Sequence, residues 1–214
     1  MKNPIRPSFK TETIPIIFII LALVSSFYFY ANFPERVPTH WNAHGEIDGW
    51  SGKTFGAFFF PALNICVYLL MLFLPLADPK KKNYSDFKHI YHIVKGALVI
   101  FLAAIYIATS LNALGRNIPI NVFVPVGIGI LFIIIGYYLK EVKPNWFFGI
   151  RTPWTLSSDR VWRKTHQLGS KVFILAGVLM ILASIWPQLF IYFILILIAM
   201  IFGVIGYSYY IYKH

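Results

Sequence analysis

Side chains that could bind a ligand or take part in chemistry are concentrated in two segments, 34–53 and 145–171. The first reads PERVPTHWNAHGEIDGWSGK and contains imidazole and indole rings together with three carboxylates. Such rings can stack on an apolar peptide or hydrogen-bond to it. The candidate ligand-binding residues of this segment are Pro38, His40, Trp41, Asn42, His44, Gly45, Glu46, Asp48, Trp50 and Lys53.

The prolines and glycines of segment 34–53 predict a compact, turn-rich loop, because proline restricts φ and Asp48-Gly49 is a common turn pair. Two alternatives stay open for its rings. Trp41 and Trp50 either contact a ligand or settle at the membrane interface. His40 and His44 are four residues apart, a spacing that would put both on one face of a helix for zinc. No third firm ligand accompanies them, so we expect no metal and no cofactor.

The second segment, 145–171, predicts a short amphipathic helix on the inner leaflet of a membrane. Val161, Trp162, Thr165 and Leu168 recur at helical spacing, and Gly169 is placed to end the helix. The segment is an interfacial anchor, a docking face for a cytoplasmic partner or a gate under the helix bundle. The Arg151 guanidinium could bind a carboxylate, a phosphate or a helix C-terminus. The candidate residues of the segment are Asn145, Gly149, Arg151, Thr152, Pro153, Trp154, Thr155, Trp162, His166 and Gly169.

The elements that carry these segments are long apolar helices. Hydrophobic residues make up 58% of the 214 residues and charged residues only 13%, about half the share of charge in soluble chains. A soluble enzyme is therefore excluded, and the class predicted is an all-α polytopic membrane protein with six transmembrane helices. We expect no buried charge in them, with Lys95 and Lys171 snorkelling at helix ends. The apolar runs are 13–31, 55–76, 96–114, 119–139, 172–186 and 189–212.

The distribution of basic residues predicts the orientation. Of 19 Lys and Arg residues, all but Arg36, Lys53 and Arg116 fall in the terminal tails and in the second and fourth connections. The positive-inside rule then makes both termini cytoplasmic and segment 34–53 extracellular. We interpret the net charge of +11 as the positive-inside bias together with attraction to the anionic lipids of the inner leaflet. We expect no direct nucleic-acid binding.

At the level of motifs, the chain resembles a known family. The pattern P-x-x-V-P-x-H-W-N-x-x-G-E-x-D-G-W-x-x-K is similar to the extracytoplasmic motif of DUF1648 proteins. The pattern N-W-F-F-G-I-R-T-P-W-T-L-S-S-D-R-V-W-x-x-T-H-x-L-G resembles the signature of the SdpI family of bacterial immunity proteins. The resemblance implies a multi-pass protein of the bacterial cytoplasmic membrane that protects its producer from a secreted peptide toxin. It also implies, for some members, signalling through a cytoplasmic transcriptional repressor held at the membrane.

The division of the chain follows from the runs and the motifs. We expect a basic tail (1–12), a DUF1648-like region (13–76), a cytoplasmic basic loop (77–95), helices three and four (96–139), a cytoplasmic signature loop (140–171), and helices five and six (172–214).

Catalysis is not expected, since the chain has no G-x-x-x-x-G-K-S/T, G-x-S-x-G or H-E-x-x-H motif. Two other functions remain open. One is a transporter or exporter of a small molecule, lipid or peptide with a cavity near Asn64 and Asn112. The other is a membrane-embedded hydrolase that uses His40 and its neighbours outside, or Arg151 and His166 inside.

Overall fold

Six of the helices are long and apolar enough to cross a membrane, which confirms the predicted fold class. The computed structural model describes residues 3–42 and 44–214. The helices are α1 (Phe9–Asn32), α2 (Lys53–Ala77), α3 (Tyr84–Ala113), α4 (Ile120–Leu139), the short α5 (Pro153–Ser157), α6 (Asp159–Ala183) and α7 (Phe190–Lys213). Two strands, β1 (Arg36–Trp41) and β2 (Ile47–Gly52), lie between α1 and α2.

The helices form two packing groups. In one, α1, α2 and α3 contact one another, and the Tyr106 hydroxyl on α3 donates to the Ala57 carbonyl on α2 at 2.7 Å. In the other, α4 packs most extensively on α6. Gly129 and Gly177 permit that approach, since a Cβ at either would lie within 2.6 Å of the other's carbonyl oxygen. The outer helix α7 packs mainly against α6.

Segment 34–53 is a β-hairpin rather than an irregular loop. The antiparallel register pairs Val37 with Ser51 and Trp41 with Ile47, with a bulge that leaves Thr39 unpaired. The turn is held by Asn42, whose side-chain oxygen accepts the N–H groups of His44 and Glu46. Gly45 takes a positive φ of 83° there. A strand and a turn, not a helix, therefore carry His40 and His44.

The separate amphipathic helix predicted in the fourth connection is wrong in its bounds. Ser158 caps a single helix, α6, that continues through Gly169 to Ala183. Val161, Trp162 and Thr165 are buried inside the protein instead of facing lipid. Gly169 lies inside the helix and does not end it. Its lack of a side chain makes room for Ile150, since a Cβ there would lie 2.3 Å from the Ile150 side chain.

The expectation that no charge is buried is also wrong. Helix α3 begins at Tyr84, inside the segment predicted as a loop, so Lys95 lies within the helix and is 0% exposed. Its ammonium group donates to both carboxylate oxygens of Glu12 on α1, at 2.6 and 2.8 Å. Tyr68 on α2 donates to the same carboxylate at 2.9 Å. Pairing makes the burial possible, because a lone charge would be too costly to desolvate.

The bundle has two distinct ends. The hairpin face carries β1 and β2 together with the 114–119 connection. The terminal face carries Asn3, the C-terminal residue and the 78–83 and 140–152 connections. There the Asn83 side chain donates to the Pro144 carbonyl, and Arg160 donates to the carbonyl of His214. The 30 residues of α3 separate the two faces by about 45 Å.

Candidate functional site

The hairpin is fixed to the helices beneath it. Val37 is 2% exposed and belongs to a buried cluster with Phe29, Phe33 and Tyr106. The Trp41 indole N–H donates to the Asn112 side-chain oxygen at 3.3 Å, and Asn112 in turn donates to the Ile118 carbonyl at 3.0 Å. These contacts therefore hold the hairpin over the ends of the helices.

Between the hairpin and the helices lies a cavity of about 550 Å³, a volume typical of pockets that bind small ligands. We call it the hairpin pocket. Its walls are largely aromatic and aliphatic, with a few hydroxyl, amide and imidazole groups. The hairpin contributes residues 37–42, α2 contributes Phe55, Gly56, Phe59 and Phe60, α3 contributes Ile105, Thr109 and Ser110, α4 contributes Ile120, Asn121, Val124 and Pro125, and Phe33, Ala183 and Phe190 complete the lining.

His40 is one of the polar residues that line the pocket. Its Nδ1 lies 2.5 Å from an Asp48 carboxylate oxygen on the paired strand. Both side chains are well exposed, at 70% and 46%. The carboxylate orients the imidazole and leaves its other nitrogen free to hydrogen-bond to a ligand. Among the described residues, no group of three His, Cys, Asp or Glu side chains is arranged to hold a metal ion.

Four of the ten candidate residues in the hairpin line the pocket: Pro38, His40, Trp41 and Asn42. The others have different surroundings. Glu46 accepts a hydrogen bond from the Asn42 amide, and the Asp48 carboxylate contacts His40 Nδ1. The Trp50 ring lies 5.5 Å from the Arg36 guanidinium. Gly45 lies against Asn121, Lys53 lies over the Tyr30 ring at 5.4 Å, and His44 is part of the turn.

The apolar walls were missed by sequence reasoning. Phe55 and Phe59 stack at 4.5 Å between ring centroids and stay half exposed, and Phe190 comes from the start of α7. In an apolar helix these residues look like lipid-facing ones. The signal available was position, since aromatic residues are dense in the first turns of α2, next to the hairpin.

The signature loop on the terminal face is organised around two buried polar side chains. The Asn145 oxygen accepts the N–H groups of Phe147 and Phe148 and lies 3.2 Å from the Tyr84 hydroxyl, and its amide donates to the Lys143 and Phe148 carbonyls. Such an arrangement satisfies the whole side chain. Asn145 therefore shapes the loop from within.

Asp78 is the second of these residues, and no sequence motif pointed to it. It is 2% exposed, and its carboxylate accepts from the Lys80 and Trp146 N–H groups and from the Tyr84 hydroxyl. These bonds tie the 78–83 connection to the signature loop. Three donors offset the loss of hydration of the charge.

His166 holds the other side of the loop and is fully buried. Its Nδ1 lies 2.8 Å from the Trp162 carbonyl, and its Nε2 accepts the Ile150 N–H at 3.1 Å. Only the neutral Nδ1–H tautomer satisfies both contacts. The ring stacks on Trp162 with centroids 4.0 Å apart. Gly149, with φ of 115°, lies directly against Nε2.

The remaining loop candidates are structural or exposed. Thr152 caps α5 by accepting the Thr155 N–H, Pro153 occupies the first turn, and the Thr152 hydroxyl contacts the Ser208 hydroxyl on α7 at 3.1 Å. Trp154 packs on Tyr209. The exposed Arg151 donates to the Trp146 carbonyl at 2.9 Å. Because the loop and the hairpin occupy opposite faces, the two groups of candidate residues form two separate sites.

The two asparagines considered for a central cavity bond to neighbouring backbone or side chains. The Asn64 amide on α2 donates to the Val99 carbonyl on α3 at 3.1 Å. Asn112 holds the hairpin through Trp41, at the edge of the bundle. Neither asparagine lines the hairpin pocket, and Asn64 is 1% exposed.

Comparison with known proteins agrees with this architecture. Residues 141–208 match the SdpI/YfhL protein family, and residues 17–65 match a domain of unknown function, DUF1648. One relative, described as "Immunity protein SdpI" of Bacillus subtilis (strain 168), is 28% identical over 207 residues, which cover 95% of this chain and 97% of that protein. No solved structure matches the chain. The resemblance drawn from the two motifs is thereby confirmed: this is a multi-pass membrane protein in which a segment that matches DUF1648 is followed by a segment that matches the SdpI/YfhL family.

Proposed function

We propose that the protein protects its cell against a secreted peptide toxin by binding the peptide in the hairpin pocket. The observation that carries the proposal is the pocket itself. It combines apolar walls with a polar rim at His40 and Asn42, a combination that suits an amphipathic peptide. The DUF1648 segment supplies the hairpin and α2 walls, while the SdpI/YfhL segment supplies Ala183 and Phe190.

Filling the pocket is expected to abolish protection. Thr109 lines the floor, and its hydroxyl bonds only to carbonyls of its own helix, so Thr109→Trp adds bulk to the cavity without breaking an interhelical contact. We expect the minimum inhibitory concentration of the toxin to fall at least about tenfold, which corresponds to about 1.4 kcal/mol of binding energy. The measurement is growth of a toxin-sensitive bacterium that expresses each variant.

Thr13 offers a matched control, because its hydroxyl also bonds within its own helix, to the Phe9 carbonyl at 2.6 Å, and it lies outside the pocket. Thr13→Trp is expected to protect as the wild type does. If Thr109→Trp protects fully at equal membrane abundance, the toxin does not bind in this pocket.

The proposal requires the hairpin face to lie outside the cell, as the distribution of Lys and Arg predicts. Single cysteines can be placed at the hairpin turn, His44→Cys, and in the signature loop, Ser157→Cys, after the one native cysteine is removed by Cys66→Ala. In intact cells we expect a membrane-impermeant maleimide to label the first cysteine and not the second. Labelling with the opposite pattern would place the pocket in the cytoplasm and end the proposal.

We further propose that the terminal face can hold a cytoplasmic transcriptional repressor. Trp146 is 48% exposed, and the exposed Arg151 lies next to it through its bond to the Trp146 carbonyl. An exposed indole beside a guanidinium is typical of a protein-binding surface. The same labelling experiment tests this role, since a signature loop that is reactive from outside the cell cannot meet a repressor.

Export of a small molecule, lipid or peptide is the second candidate, and the buried Glu12–Lys95 pair favours it. Charged side chains inside a membrane bundle often mark a substrate or proton pathway. The double variant Glu12→Gln/Lys95→Met separates this role from a structural one, because it removes both charges and keeps side chains of similar length.

A further inference from the structure

A second cavity lies on another side of the bundle, between α1, α3 and α4. It has a volume of about 770 Å³ and shares no lining residue with the hairpin pocket. We call it the lateral groove. Its α3 wall runs from His92 to Ala104, a rise of about 18 Å at 1.5 Å per residue. That length is close to the depth of one leaflet, half of a hydrocarbon core about 30 Å thick.

The groove is polar at one end only. Lys10, Thr11 and His92 form that end, at the first turn of α1, and every other lining residue is apolar. The apolar part includes Pro15, Gly96, Ile100 and Val126. A ligand that fits this pattern has one polar head and a long apolar chain, and its head lies at the terminal face.

The polar end carries a net positive charge. The Glu12 carboxylate nearby is neutralised by Lys95. Lys10 is exposed, and Lys88 lies one helical turn before His92 on α3; within residues 3–42 and 44–214 neither ammonium group forms an ion pair. His92 is already engaged, because it lies 2.8 Å from the Ile5 carbonyl and 3.4 Å from Glu12. Lys10 lines this end of the groove and Lys88 lies one helical turn outside its lining, so these are the two cations available to a headgroup.

We propose that the lateral groove binds one anionic glycerophospholipid, with one of its two acyl chains along α3 and its phosphate at Lys10 and Lys88. The apolar length accounts for the chain, and the two unpaired cations select an anionic head over a zwitterionic one. Each lysine near a lipid phosphate contributes about 1 kcal/mol, or about fivefold in affinity, so the pair should favour the anionic lipid about 25-fold. This inference is independent of the toxin-binding proposal.

The structure supplies a variant that blocks the groove. A Cβ on Gly96 would meet only the Pro15 ring, at 3.9 Å, and Gly96 lines the groove, so Gly96→Leu adds side-chain volume at the groove. Gly203→Leu on α7 is the matched control, because nothing lies within 4 Å of a Cβ at Gly203. For the charges, the variant is Lys10→Gln/Lys88→Gln, and its control is Lys82→Gln/Lys143→Gln on the same face.

The experiment measures lipid retained by the purified full-length protein in native mass spectrometry, with phosphatidylglycerol and phosphatidylcholine titrated separately. We expect one phosphatidylglycerol per protein, affinity about 25-fold lower in Lys10→Gln/Lys88→Gln, and no retained lipid in Gly96→Leu. The control variants should bind as the wild type does. Thermal unfolding of each variant shows whether it is folded.

Three results would overturn the proposal. Phosphatidylcholine could bind as tightly as phosphatidylglycerol, which would mean an unselective apolar groove. The control lysine pair could weaken binding as much as the groove pair, which would mean diffuse attraction to the terminal face. Folded Gly96→Leu could retain the lipid, which would place it elsewhere on the protein.

Discussion

Replacing Lys95 by methionine is expected to remove most of the folded protein from the membrane. The ammonium group is fully buried and contacts both oxygens of Glu12. Without it the carboxylate stays buried and keeps the hydroxyl donors of Tyr68 and Thr11, with the His92 ring 3.4 Å away. Loss of one partner of a buried ion pair costs about 3–5 kcal/mol, a large share of a typical stability of about 5–15 kcal/mol. The measurement is the thermal midpoint and membrane yield of purified protein.

The double variant Glu12→Gln/Lys95→Met should recover most of that loss. Neutral side chains of similar length fill the same space, and the glutamine oxygen can still accept from Tyr68, whose hydroxyl lies 2.9 Å from the native carboxylate. Lys143→Met, at an exposed position of the terminal face, is the control for removal of a positive charge. Equal stability of the Lys95→Met and Lys143→Met proteins would contradict the view that the pair holds α1 against α3.

The same double variant separates the two candidate functions. If the pair only positions α1, α2 and α3, a folded double variant protects cells as the wild type does. If the pair belongs to a transport pathway, the folded double variant no longer transports substrate in proteoliposomes, since the pair can no longer bind a substrate or carry a proton.

Gly149→Ala is expected to destabilise the signature loop by about 2–4 kcal/mol, the sum of backbone strain and a steric clash. At φ of 115° an L side chain is strained, and its Cβ would lie 2.5 Å from Nε2 of His166. The imidazole cannot withdraw without losing the Ile150 N–H and its stacking on Trp162. The measurement is the change in free energy of unfolding, with limited proteolysis to locate the change in the loop.

Gly115 provides the matched control, because it also has a positive φ, 84°, but nothing lies within 4 Å of a Cβ there. Gly115→Ala reports the backbone strain alone, about 1–2 kcal/mol. A Gly149→Ala loss no larger than the Gly115→Ala loss would mean that His166 does not depend on this close approach.

Both predictions concern polar contacts buried within an apolar chain. In lipid the gain from packing apolar side chains is small, since the surrounding solvent is also apolar. Specific contacts such as Glu12–Lys95 and Ile150–His166 therefore select one arrangement of helices among many. This is the physical reason why we assign them the largest effects.

Much of the architecture could be read from the chain itself. The length and apolarity of the runs required spanning helices, because backbone groups in lipid must hydrogen-bond internally. The spacing of Pro38, His40, Trp41 and Gly45 in one segment, and of Asn145, Gly149 and His166 in another, carried the family resemblance. Periodicity and composition are local properties, and they specify elements without specifying their partners.

The tertiary structure decided which of these residues meet. Lys95 reads as a snorkelling cation until α1 brings Glu12 to it, 83 residues away in sequence. Gly169 reads as a helix end until Ile150 packs on it, and Phe55 and Phe190 read as lipid-facing until the hairpin covers the space between them. Each case depends on a contact between distant elements, and the free energy of such a contact is absent from any local pattern. For that reason the hairpin pocket and the buried ion pair emerge only when the helices are packed together.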